Sequence, residues 1–254
     1  MSFLKLLGTE CQKLKRSWIL LLLFVPTVLT WIPSLLNADH AFQSATGAAP
    51  ANEFFIQGFM GFTWFLFPAC MVVCTVLIHQ TELTNNGILK MLALPVRPAA
   101  LSGAKFIILL GLGAIQVLLC DAVYYAVAAI ASHTQDYDLI LKPAFILKES
   151  GLMFLTLIPM MTVFWLISTL IKTPIFSIGI GLASIVPSVL MINTKIWFCY
   201  PMCYPFYLQM ITQSKLSGNA DAAIDPVPFL PVAIAITAVC LGVSLFYYGK
   251  AERR

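Results

Sequence analysis

Asp121 is the residue of this sequence whose type and setting best fit chemistry. It stands inside a long apolar run, where a carboxylate costs at least a few kcal/mol on insertion scales. Gln116, Tyr124 and Tyr125 are within reach and could supply hydrogen bonds. Such a group must face a cavity or a neighbouring helix; it serves a translocation path or subunit contact, or else a structural bond between helices, and both readings stay open. His79 and Glu82, three residues apart, could share a helix face, but two ligands do not hold a metal and a solvated helix end explains them as well. His133 with Asp136 and Asp138 is a similarly sparse cluster. We expect no metal site and no catalytic residue.

The seven cysteines lack zinc or redox spacing. Cys70, Cys74, Cys120 and Cys240 fall in apolar runs, as small packing residues do. Cys199 and Cys203 could pair, although a bridge across one helical turn is strained. The sequence has no phosphate loop, no Gly-x-Gly-x-x-Gly turn, no His-Glu-x-x-His and no Gly-x-Ser-x-Gly. We therefore expect no cofactor on this chain.

The elements that position these residues follow from hydropathy. Sixty per cent of the 254 residues are hydrophobic and only 10% are charged. Six apolar runs, near 18–36, 56–78, 106–131, 151–171, 174–192 and 229–248, are each long enough to cross a hydrocarbon core of ~30 Å. They are apolar all round, so they lack the wet face of a soluble helix. A barrel would instead show alternating strands of about ten residues. The expected fold is an all-α membrane protein of six transmembrane helices in a single domain, 1–254. The basic start, the apolar run after it and the Ala-rich stretch around Ala45–Ala51 together resemble a secretory signal with a cleavage region, but that run is long enough to span. Phe3, Leu7, Cys11 and Leu14 against Lys5, Lys13 and Lys15 predict an amphipathic interfacial helix over residues 1–17.

Basic residues flanking spans are retained on the cytoplasmic side. With both termini inside, that side holds eleven of the fifteen lysines and arginines; Lys142, Lys148, Lys195 and Lys215 fall outside. Seven of the eleven acids fall outside too, among them Asp39, Glu53 and Glu149. The net charge of +4 thus reports orientation in a lipid bilayer, and no nucleic-acid partner is expected.

Two polar or aromatic segments interrupt this background. Trp197, Tyr200, Tyr204 and Tyr207, interleaved with Pro201 and Pro205, predict a short or re-entrant element at the outer leaflet. It is either an ordinary aromatic belt or a surface that touches an amphipathic substrate. The turn-rich stretch from Glu82 to Arg97, with Leu83, Asn86, Gly87, Leu94 and Pro95, reads as a docking element between spans 2 and 3. Pro68, Pro159 and Pro187 interrupt three spans, and Gly179 with Ala183 gives small-residue spacing for close helix contact.

With Glu10-x-x-Lys13-x-x-Arg16 before span 1, six spans, and an inner loop carrying Glu82, Gly87, Leu94-Pro95-Val96-Arg97 and Lys105, the chain resembles the ABC-2 class of transporter permeases over almost its whole length. Its size and the aromatic Tyr-Pro element further resemble the lantibiotic-immunity permeases of that class. Where the family often has a basic residue beside the loop glycine, this chain has Asn85 and Asn86.

The resemblance implies that Glu82, Leu83, Asn86, Gly87, Leu94, Pro95 and Arg97 belong to a cytoplasmic coupling helix docked on a separate ABC ATP-binding subunit. That subunit, present in two copies, would hold ATP and Mg. A second ABC-2 permease chain, identical or different, would complete the assembly in the bacterial plasma membrane, and the substrate would be a cationic antimicrobial peptide that is expelled. The alternatives are an ABC-2 exporter of a drug, a lipid-like molecule or a polysaccharide, and, from other classes, an intramembrane enzyme or a sensor.

Overall fold

The computed structural model describes residues 3–15, 18–43, 47–83, 98–171, 173–219, 222 and 226–251. Among them there is helix and turn and no strand. The elements are α1 (Phe3–Lys15), α2 (Ile19–Leu36), the short α3 (His40–Gln43), α4 (Pro50–Gly61), a π segment (Phe62–Leu66), α5 (Phe67–Leu83), α6 (Pro98–Gln135), α7 (Pro143–Leu170), α8 (Pro174–Ile185), α9 (Ser188–Met191), α10 (Tyr204–Leu216) and α11 (Pro226–Ala251). Six helical stretches are long and apolar enough to span: Ile19–Leu36, Pro50–Gln80, Pro98–Gln135, Pro143–Leu170, Pro174–Met191 and Val227–Tyr248.

The spans match the expected runs in number and order but extend beyond several of them. Span 2 starts at Pro50, span 3 covers 98–135 and span 4 starts at Pro143. Hydropathy ends a run at Glu53, Lys105 or Glu149, yet a helix continues through a charge that finds a partner. Proline opens α4, α6, α7 and α8. It lacks an N–H that would be unpaired there in any case, and its φ is already helical.

Inside the spans proline acts differently. Pro68 follows the π segment, where the Phe67 N–H reaches the Phe62 carbonyl, five residues back. Proline has no N–H to continue the regular ladder. Pro187 ends up between α8 and α9 and breaks span 5 in two. Pro159 stays within α7, and the Thr162 hydroxyl donates to its carbonyl at 2.6 Å.

Spans 2, 3 and 4 form the interior: 61, 50 and 56% of their most apolar stretches are buried, against 22, 22 and 17% in spans 1, 5 and 6. The core between them is aromatic. Trp31 packs against Phe54, Phe59 and Tyr124 at centroid distances of 6.2, 5.8 and 5.5 Å. Gly58 makes this possible, since a Cβ there would lie 2.1 Å from the Trp31 ring.

The amphipathic helix forms as α1, but with a different face inward. Leu6 is buried against Leu101 and Ala104 of α6, while Phe3 and Cys11 are exposed. The inward register also carries Glu10, and Leu7 and Leu14 flank it. The stripe pattern alone favoured Phe3, Leu7, Cys11 and Leu14, because it had no reason to turn an acid inward.

Candidate functional site

Three polar constellations lie along the bundle. At the α1 end, Glu10 and Lys105 meet with Oε2 and Nζ 3.6 Å apart, and Lys13 pairs with the same carboxylate. Lys105 is 0% exposed and Glu10 5%. Two charges so withdrawn persist only when paired, because each alone would keep its full desolvation cost.

Beside them, the His79 Nδ1 donates to the Thr75 carbonyl at 2.9 Å. Ser168 Oγ is 3.2 Å from the same nitrogen, and Thr169 Oγ1 is 3.4 Å from Nε2. The imidazole packs on Trp165 at a centroid distance of 4.3 Å and on Tyr248 at 6.3 Å. The Trp165 Nε1 in turn donates to Ser102 at 3.3 Å. This cluster joins α1 to the ends of spans 2, 3, 4 and 6. It brackets the chain on both sides of residues 84–97, since α5 ends at Leu83 and α6 begins at Pro98. Asn86, Gly87, Leu94, Pro95 and Arg97 lie outside the described residues, as do the side chains of Glu82 and Leu83.

Asp121 occupies the second constellation. Its Oδ2 accepts the Ser150 hydroxyl at 2.8 Å, and its Oδ1 has no partner among the described residues. Ser150 belongs to the second turn or so of α7, so the carboxylate sits in the half of the bundle away from α1 rather than midway. The expected neighbours bond elsewhere. Gln116 Nε2 donates to Thr27 at 3.4 Å. The Tyr124 hydroxyl donates to the Leu139 carbonyl and accepts from the Leu141 N–H, both at 3.0 Å, and Tyr125 reaches the Leu141 carbonyl at 3.5 Å. Both tyrosines thus pin the loop after α6. One residue from Ser150, Glu149 accepts the Thr212 hydroxyl at 2.9 Å, which ties α10 to α7.

The third constellation is the aromatic element, which forms two short 3-10 turns, Trp197–Cys199 and Pro201–Cys203, leading into α10. Trp197 stacks on Tyr207 at 3.9 Å and on Phe229 at 5.6 Å. Tyr204 is 1% exposed and its hydroxyl donates to the Phe198 carbonyl. Tyr200 donates to the Ser184 carbonyl. The four-residue surface therefore reduces to Trp197, Tyr200 and Tyr207, each partly covered, because packing on span 6 consumes the Tyr204 ring. Cys199 and Cys203 are free thiols. Cys203 donates to the Ser188 carbonyl at 3.2 Å. Burial pushes the Cys203 thiol up to about 12 and raises the Tyr200 and Tyr204 hydroxyls as well.

At that same end, an open recess of about 590 Å³ is lined by Pro33, Ser34, Asn37, His40, Gln43 and Gln57. Polar residues bracketing the ends of spans 1 and 2 were its only trace in the sequence. Glu10, Lys105 and His79 likewise read there as span flanks.

Most of α1, spans 1 to 4 and most of span 5 match a family model. The model, described as ABC-2 family transporter protein, covers residues 6–188. The chain belongs to the ABC-2 transporter family. No curated protein and no solved structure matches it. Membership makes this chain a multi-pass membrane component of transport. The match takes in Glu10, His79, Lys105 and Asp121, and it ends at Ser188, before the aromatic element. Among the described residues no group of three or more His, Cys, Asp or Glu could hold a metal.

Proposed function

We propose that this ABC-2 chain is the permease subunit of an ATP-driven exporter that expels cationic antimicrobial peptides of the lantibiotic type from the bacterial plasma membrane, conferring immunity or resistance. ATP and Mg reside on a separate ABC ATP-binding subunit in two copies, and a second permease chain, identical or different, completes the membrane part. Both termini and the α1 end of the bundle face the cytoplasm.

One observation supports the motor-driven reading most directly. The buried Glu10–Lys105 pair, the Trp165–Ser102 bond and the packing of His79 on Trp165 and Tyr248 gather α1 and spans 2, 3, 4 and 6 at the roots of segment 84–97. A push on that segment meets four spans that are already joined, so it reaches the membrane part without first compressing soft contacts. The peptide reading rests on less: the resemblance in size and aromatic element, and an outer side on which acids outnumber bases. Screening over ~8 Å limits that attraction to the last step of approach.

The test is to purify the tagged chain from its native membrane in mild detergent and identify by mass what accompanies it. The expected companion is a stoichiometric ATPase bearing a phosphate loop. A chain that reproducibly comes alone, in detergents that preserve comparable complexes, overturns the reading. Deleting the chain should sensitise cells to cationic peptides more than to lipophilic drugs; the opposite order replaces the peptide with a drug. Glu82→Ala and Arg97→Ala should each lower transport and ATPase association.

A further inference from the structure

The recess between the outer ends of spans 1 and 2 has walls of unusual uniformity. Asn37, Gln43 and Gln57 contribute three carboxamides, His40 an imidazole and Ser34 a hydroxyl, over Pro33. A carboxamide carries donor and acceptor like a peptide unit; Asn37 Nδ2 already gives one N–H to the Pro33 carbonyl at 2.9 Å, which leaves its oxygen and second N–H for a ligand. Among the described residues no lysine or arginine lines it, although phosphate recognition draws on those side chains. The formal charges adjoining it are acidic: Gln57 Nε2 donates to the buried Glu53 at 3.4 Å, and exposed Asp39 precedes His40.

The site is also built in advance. Ala38 and Ala41 are buried at 4 and 2% exposure, so the α3 side of the recess is anchored to the core. Phe42 meets Tyr137 edge to face at 5.3 Å, which fixes α3 against the loop after α6. A wall held in place before the ligand arrives adds little ordering cost on binding. Below the recess, exposed Leu29, Ile32 and Leu36 continue along α2 towards the middle of span 1.

We propose that this recess receives the cationic, amide-rich end of an amphipathic peptide on the outer side of the membrane, with the apolar part of that peptide lying along α2. The proposal rests on the exporter reading above, and it gives the peptide its first point of contact. The volume falls within the ~300–1,000 Å³ typical of ligand sites, enough for a short polar segment but not for a whole peptide.

The experiment places the native complex in nanodiscs of phosphatidylcholine and measures binding of a fluorescent synthetic cationic amphipathic peptide. Two variants are compared with the parent. The double change His40→Leu with Gln43→Leu removes polar groups from two exposed side chains of α3, and Ser34→Phe fills the recess. Unchanged size-exclusion profiles and ATPase association verify folding. Both variants should weaken peptide binding at least tenfold and lower peptide resistance in cells.

Wild-type binding that both variants retain overturns the recess while leaving the exporter reading intact. A wild-type complex that neither binds the peptide nor confers resistance overturns the exporter reading, and the recess with it. Competition by phosphatidylglycerol, with affinity lost in the same variants, assigns the recess to an anionic lipid headgroup and overturns the peptide as occupant.

Discussion

Glu10 Oε2 lies 3.6 Å from Lys105 Nζ, and both side chains are withdrawn into the contact between α1 and α6. The pair fastens an interfacial helix to the base of the longest span, seven residues beyond Pro98. Removing Glu10 takes its carboxylate from buried Lys105, a loss of about 3–5 kcal/mol, and removing Lys105 leaves Glu10 to the more exposed Lys13 at a smaller cost, whereas replacing both by apolar residues is often neutral. Glu10→Leu and Lys105→Leu should therefore each lower Tm in detergent and reduce resistance, while the double leucine variant recovers most of the Tm. If the double variant recovers Tm but not transport, the ion pair also serves the motor stroke. Equal Tm values for all four proteins would remove the pair from the account.

Gly58 tests the aromatic core. A methyl group there would be 2.1 Å from the Trp31 ring, which is boxed in by Phe54, Phe59 and Tyr124 and donates from Nε1 to Cys120 at 3.3 Å. Gly58→Ala should destabilise by about 1–3 kcal/mol, the usual range for overpacking. Trp31→Phe removes the ring atoms in the way, so the double variant should regain part of that loss. Gly111→Ala, at a position open on all sides, should be silent in the same thermal assay.

For Asp121 the expected outcome is structural. Asp121→Asn keeps an oxygen for the Ser150 hydroxyl, so it should preserve Tm and transport. Asp121→Leu leaves the buried Ser150 hydroxyl only the long contact to the Leu147 carbonyl at 3.5 Å and should cost about 1–3 kcal/mol. Loss of transport in the asparagine variant at unchanged Tm would instead assign the carboxylate to the translocation path.

The cysteines report orientation and ionisation together. A membrane-impermeant maleimide added to intact cells should label exposed Cys199 and spare exposed Cys11; the reverse pattern inverts the assigned topology. The thiolate is the reactive form, and burial holds Cys203 protonated until about pH 12. Raising the pH from 7 to 9 should leave Cys203 unlabelled. Because the folded pKa is raised, the related stabilisation is present below the ordinary value of 9.0 and fades as pH climbs towards 12.

The count and order of the spans were legible in the sequence, because an uninterrupted apolar run of this length has no stable place in water. Their ends were not. Helix α6 begins at Pro98 and α7 at Pro143, well before hydropathy rises, since Lys105 and Glu149 each find a polar partner within the fold. Asp121 was legible as a buried acid, yet its partner Ser150 lies 29 residues away, and no spacing rule connects them. Trp197, Tyr200, Tyr204 and Tyr207 were legible as an aromatic group between spans 5 and 6. That Tyr204 faces inward depends on Phe229, whose ring meets it edge-on at 4.9 Å.

Helix α6 runs for 38 residues, about 57 Å at 1.5 Å per residue, nearly twice the thickness of a hydrocarbon core. After Pro98 it contains no proline, so it has no built-in joint. Near one end it carries Lys105; towards the other, Tyr124 and Tyr125 grip the loop at Leu139 and Leu141. Such a rod behaves as a beam on a fulcrum. A rocking of 5° about its centre would sweep each tip by about 2.5 Å in opposite directions, enough to break a hydrogen bond at the far side without any helix unwinding in between.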